Sequence, residues 1–141
     1  MGLDIYAGFL HPKPEQPDNV VNIKDDMNDR MEARYYWRKH ARLQQFMTEL
    51  WHEKNGTKMD DIMAPDGLNG GDVLMLTKDD ILKLQTLVKD DNLPFCPGGF
   101  FWGHQFQEES MREYKELDLK FCKDALQWLE EGKEVWYESS W

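Results

Sequence analysis

The chain is poor in cysteine, in basic residues and in long apolar runs. Its two cysteines, Cys96 and Cys122, lie far apart and form no CxxC pair, so neither a disulfide framework nor a paired-thiolate metal site is indicated. No stretch approaches the roughly 18 apolar residues of a membrane span. The opening "MGLDIYAGFLHPKPEQ" lacks the basic start and apolar run of a signal peptide. Gly2 is followed by Tyr6 where a myristoylation signal carries Ser or Thr. The expected setting is therefore cytoplasmic, with reduced thiols and no membrane partner. Only 17 Lys and Arg stand against 27 Asp and Glu, a net charge of -10. The mean field of such a chain repels phosphate, so general binding of nucleic acid is not expected. The acidity reads as an ordinary solvated surface or as an attraction for a basic partner.

The signatures of common catalytic sites are missing as well. There is no G-x-x-x-x-G-K-[ST] loop and no G-x-S-x-G nucleophile elbow. His52-Glu53 begins like a zinc protease helix, but Gly56 stands where the second histidine is needed. Cys96 and His104 have no second ligand pair nearby. The acidic run "DDIMAPDGLNGGD" misses the alternating ligand positions of a calcium loop. Either thiol could pair with His40 or His104 only through folding, and nothing local marks one as activated, so both read as buried structural cysteines. No catalytic residue, metal ligand or cofactor is assigned.

What is present supports one folded domain over residues 1–141. A hydrophobic fraction of 40%, with 13% aromatic residues, is enough to build a core at this length. No repeat, low-complexity tract or second-domain boundary interrupts it. Leu3, Ile5, Ala7 and Phe9 alternate along a first strand. Pro12, Pro14 and Pro17 make 10–26 a loop. The spacing predicts a helix over about 28–54, with Tyr36, His40, Leu43, Met47 and Leu50 on one apolar face, flanked by Trp37, Phe46 and Trp51 and stopped by Asn55-Gly56. "VLML" at 73–76 reads as a short buried strand. Thr77 and Asp80 resemble a capping box opening a helix over 78–90. "FCPGGFFWG" reads as a turn and a short aromatic strand. A third helix over about 107–131 carries Tyr114, Leu117, Phe121, Ala125 and Trp128, and Gly132 closes it. "EVWYESSW" is a last strand. The fold class is α+β: a single compact domain, a small, mainly antiparallel sheet and about three packed helices. Its first and last strands are expected to pack together.

The most unusual pattern is a line of arginines. Arg30, Arg34, Arg38 and Arg42 are four of the five in the chain. On a helix, steps of four turn about 400°, so these residues would form a slanting stripe beside the apolar face. The expected arrangement pairs Arg38 internally, with Asp4 as one partner, and leaves Arg30, Arg34 and Arg42 wholly or partly exposed. Arginine's planar fork suits an anionic ligand or an acidic surface. His40 on the apolar face reads as a hydrogen-bonded core histidine, or as a site residue beside Arg38 and Lys39 with Asp4 as partner. Trp102, opposite in alternation to Phe101, is a candidate for an exposed aromatic contact.

"MGLDIY" at 1–6, "YWRKHARLQQF" at 36–46, "GFFWG" at 99–103 and "SSW" at 139–141, taken in order, resemble a family of small uncharacterised proteins of tailed bacteriophages. Such proteins begin MGLD, carry a WRK helix and a GFF(F)G turn, and end in SW. Trp102 replaces the usual third Phe, and "HQFQEES" after Gly103 departs from the commoner Ser-containing acidic run of such proteins. The resemblance implies a gene product acting in the cytoplasm of a bacterial host and implies no reaction. The function expected is a non-enzymatic accessory protein that binds a host or phage protein, as an inhibitor in one version. The alternatives are a binder of a phosphorylated or nucleotide ligand through the arginines, and a small enzyme built on Asp4, Arg38, Lys39 and His40.

Overall fold

The computed structural model of the chain describes residues 3–11, 31–55, 73–94 and 107–140. The elements in order are β1 (Asp4–Leu10), β2 (Met31–Arg38), α1 (Ala41–Asn55), β3 (Val73–Leu76), α2 (Lys78–Lys89), α3 (Gln107–Glu113), α4 (Lys115–Glu130) and β4 (Glu134–Ser140). The four strands form one antiparallel sheet in the order β2-β1-β4-β3. The fold is compact and α+β, with four helices among the described residues. Asp4 pairs with Ser140, so the two end strands lie side by side as their sequences led one to expect. The candidates Arg30 and Trp102 lie outside the described residues, as do the "GFFWG" turn and Trp141.

One face of the sheet carries the core. Leu3, Ile5, Ala7, Tyr35, Trp37, Leu74, Leu76, Val135 and Tyr137 point from the strands into it. Leu43, Met47 and Leu50 of α1, Ile81, Leu84 and Val88 of α2, and Phe121 and Ala125 of α4 close over them. Phe121 meets Trp37 edge-on at 5.4 Å and Tyr35 at 5.3 Å between ring centroids, an arrangement that adds to the gain from burial alone.

Residues 31–38 are the main correction. They form a strand, and the helix starts only at Ala41. Tyr35 and Trp37 alternate inward while Arg34, Tyr36 and Arg38 face out, a period of two that the four-residue arginine spacing conceals. The aromatic run "YYW" favours a pleated, half-buried surface, and β1 supplies a partner for its whole length. Lys39 then takes a left-handed φ of 58°, which separates the strand from the helix. The face expected for the longer helix survives only from Leu43 onward. Tyr36 is exposed on the strand. The third predicted helix is also divided, at Tyr114, into α3 and α4.

The register of β1 against β2 shifts between Ala7 and Gly8, leaving Arg34 as the extra residue. Here the strands approach so closely that a Cβ on Gly8 would lie 1.8 Å from the Glu32 carbonyl oxygen. The end of α4 uses glycine differently. Gly132, at φ 84°, donates to Leu129 O at 3.1 Å and lets Lys133 donate to Trp128 O at 2.9 Å, which together form a Schellman cap.

The capping box at α2 is present. The Asp80 amide donates to Thr77 Oγ1 at 3.2 Å, and the Thr77 amide donates to Asp80 Oδ2 at 2.9 Å. Burial works against the Asp80 charge, but Lys54 at 2.5 Å and the Thr77 groups outweigh it and hold the carboxyl below its ordinary value. Replacing Thr77 by Ala should cost about 1 kcal/mol, measured by urea unfolding. No loss would mean that Lys54 alone fixes this helix start.

Candidate functional site

Two constellations contain the polar residues singled out above, and the sheet separates them. The first is buried at the junction of β2, α1 and α4. The left-handed turn at Lys39 swings His40 into the core, where it is fully buried at the start of α1. Its Nε2 lies 2.8 Å from Asp118 Oδ2, and Trp37 Nε1 donates to Asp118 Oδ1 at 2.8 Å. Asp118 comes from α4, on the face that also buries Phe121 and Ala125. With Nε2 carrying its proton toward the carboxylate, His40 Nδ1 is left without a hydrogen-bond partner among the described residues. The ring of Tyr114 stacks on His40 at 5.1 Å. Beside this cluster, Tyr137 donates its hydroxyl proton to Gln44 Oε1 at 2.7 Å. Burial first, and then the Asp118 charge, push the Tyr137 phenol well above its ordinary range and the Cys122 thiol up to about 12. Cys122 is thus a protonated, buried thiol, and none of these groups lines a described cleft.

The second constellation is on the opposite face, at the β1–β2 end. Tyr6 and Tyr36 face each other across the strands with ring centroids 5.1 Å apart, and they are 38% and 46% exposed. Tyr36 donates to Asp4 Oδ1 at 2.6 Å, and this bond raises its phenol above the ordinary value. Arg38 sits across from Asp4 in register on the same face, and Glu138 sits across from Tyr6 on the other side.

Arg34, Arg38 and Arg42 therefore form no stripe. Arg34 lies at the sheet margin, its Nε 3.2 Å from Glu32 Oε2 and its guanidinium over Phe9 at 5.8 Å. Arg38 and Lys39 are exposed. Arg42 turns inward and donates through Nη1 to Leu93 O at 3.0 Å, with Met111 Sδ at 3.7 Å. Arg38, expected to pair internally, is instead exposed, because alternation along β2 turns it outward, while Arg42 is half-buried. Asp4 serves Tyr36 and not His40. Asp4, Arg38, Lys39 and His40 do not converge on one site.

Asp118 and Tyr6 were not foreseen. The signal for Asp118 was a carboxylate four residues after Tyr114 and three before Phe121, on an apolar helix face. The signal for Tyr6 was its outward phase between Ile5 and Ala7. Among the described residues, no group of three His, Cys, Asp or Glu side chains is placed to hold a metal ion, and no helix is long and apolar enough to cross a membrane. Comparison of the chain with protein-family models, with curated proteins and with solved structures finds no match.

Proposed function

We propose that this protein is a non-enzymatic accessory factor that binds another protein through the outer face of its β1–β2 pair. The single observation behind this reading is the contrast between the two constellations. His40, Asp118 and Cys122, the groups with chemistry to offer, are sealed in the core and satisfy or inactivate one another. The exposed aromatics Tyr6 and Tyr36 sit together beside Asp4, which accepts from Tyr36, and Arg38, which lies across from Asp4 in register. Tyrosine with arginine is the composition enriched where proteins meet, since it supplies area at little entropic cost. The resemblance to tailed-bacteriophage proteins supports a host or phage protein as the partner and the bacterial cytoplasm as the setting.

The test is capture from host lysate by the wild-type chain and by a Tyr6→Ser/Tyr36→Ser variant. One defined protein retained by the wild type and lost by the variant, with melting close to unchanged, is the expected result. Capture that is indifferent to both substitutions would remove this face as the site. A second reading, an anionic small ligand held by cations, draws on Arg38 and Lys39, neither of which makes an ion pair among the described residues.

A further inference from the structure

We infer that the outer edge of β2, which pairs with no strand among the described residues, is a strand-addition groove, in which an extended acidic segment of the partner protein pairs with the backbone of Tyr36 and lays side chains between β2 and α4. The inference rests on the reading of the protein as a partner binder and specifies the mode.

The edge follows from register. In the strand order β2-β1-β4-β3, β2 has a neighbour on one side only among the described residues. The Lys39 amide donates to Leu3 O at 2.8 Å, so Leu3 and Lys39 are a hydrogen-bonded pair. Pairs alternate along an antiparallel ladder, so Arg38 and Tyr36 direct their N–H and C=O away from β1. Tyr114 shows that these groups accept a partner. Its hydroxyl oxygen receives the Arg38 N–H at 3.2 Å, and its proton goes to Arg38 O at 3.0 Å. One phenol thus takes both positions that the backbone of a further strand would occupy. At Tyr36, the next outward residue, the same two backbone groups meet no partner among the described residues.

A cleft of about 440 Å³ runs beside this stretch. Arg34 and Tyr36 form its strand side, and Leu117, Lys120, Asp124 and Trp128 of α4 form the other. Leu117 and Trp128 are half-buried and provide an apolar floor. Tyr35 donates its hydroxyl proton to Asp124, which occupies the one carboxylate in the lining. Of the two cations in the lining, Arg34 meets Glu32, and Lys120 is exposed and makes no ion pair among the described residues; Arg38 and Lys39, also exposed and without an ion pair there, follow Tyr36 along the chain, in a protein whose net charge is -10. An extended backbone between an edge strand and a helix, with pockets for alternate side chains, is the geometry of β-augmentation, and the local charge selects an acidic segment.

A second copy of this chain fits worse. Antiparallel self-pairing centred on Tyr36 would put Arg34 opposite Arg38 of the other copy, and like charges directly opposite are destabilising. The far edge is less open, since Lys54 Nζ already donates to Met75 O of β3 at 2.9 Å.

The test uses the full chain and fluorescence anisotropy with a labelled short peptide of alternating glutamate and valine. The comparison probes are the lysine–valine counterpart, the glutamate–valine peptide N-methylated on every second residue in either phase, and an oligothymidylate. The expected result is binding of the glutamate–valine peptide only, weakened about tenfold or more by Lys120→Glu and by N-methylation of one phase. Lys83→Glu, the same charge change on an exposed position of α2 that does not line this cleft, should leave that affinity unchanged. No binding of the acidic peptide, equal binding of both N-methylated forms, or stronger capture of the oligothymidylate would each overturn the groove. Loss of lysate capture in Tyr6→Ser/Tyr36→Ser is read separately, so a failed groove with an intact outer face remains distinguishable from failure of the binding role itself.

Discussion

Replacing Asp118 by Ala is expected to destabilise the fold by roughly 3–5 kcal/mol, because it strips a buried pair of one partner. The carboxylate is the acceptor for Trp37 Nε1 and the neighbour of His40 Nε2, both at 2.8 Å in a fully buried setting. Its removal leaves two orphaned polar groups and a cavity. Asp118→Asn should cost less, about 1–3 kcal/mol, because an amide oxygen still accepts from Trp37. The amide NH2 then faces His40 Nε2 and forces the other tautomer, which puts a proton on an Nδ1 with nothing to receive it among the described residues. Thermal melts of both variants measure this, and a fall of about 10 °C or more is expected for the alanine variant. Equal, small losses in the two would mean that the cluster contributes little to stability.

Gly8→Ala should be nearly as damaging as Gly8→Val, since the Cβ itself is the obstacle. That atom would meet the Glu32 carbonyl oxygen at 1.8 Å, the Glu32 carbonyl carbon at 2.9 Å and the Ala33 Cα at 3.0 Å, all of them backbone. No rotamer change relieves a backbone contact, so the β1–β2 pairing must open or the bulge must be lost. The expected cost is about 3 kcal/mol, at the upper end for overpacking. Gly132→Ala is the control. Nothing lies within 4 Å of its added Cβ, and only the φ of 84° is unfavourable, so about 1 kcal/mol is expected. Urea unfolding of the three variants should rank both Gly8 substitutions well above Gly132→Ala. An unaffected Gly8→Ala would contradict the bulged register.

These two sites differ in how far the sequence announced them. Gly132 was legible, because a glycine after a long apolar helical face has one common use, and the structure gives it that use. Gly8 was not, since its role depends on the carbonyl of Glu32, more than twenty residues away and held there only by strand pairing. The same division runs through the polar residues. Thr77 and Asp80 cap α2 as their spacing indicates, since a capping box closes within one turn of chain. The pairing of His40 with Asp118 spans |i−j| = 78, and no local pattern selects that partner over Asp4.

The sequence by itself determined the strands at Asp4–Leu10, Val73–Leu76 and Glu134–Ser140, the lower part of α1, the start of α2 and the end of α4, and hence the α+β class. Each rests on a periodicity or a cap that operates over a few residues. The tertiary structure decided the state of residues 31–38 and, with it, the fate of the arginines. A segment with apolar residues at both helical and alternating spacings takes whichever state the rest of the chain can bury and hydrogen-bond. Here β1 offered a ladder along the segment, broken only by the bulge at Arg34, so Tyr35 and Trp37 entered the core from a strand, and Arg34, Arg38 and Arg42 were distributed among the sheet margin, its outer face and a half-buried position.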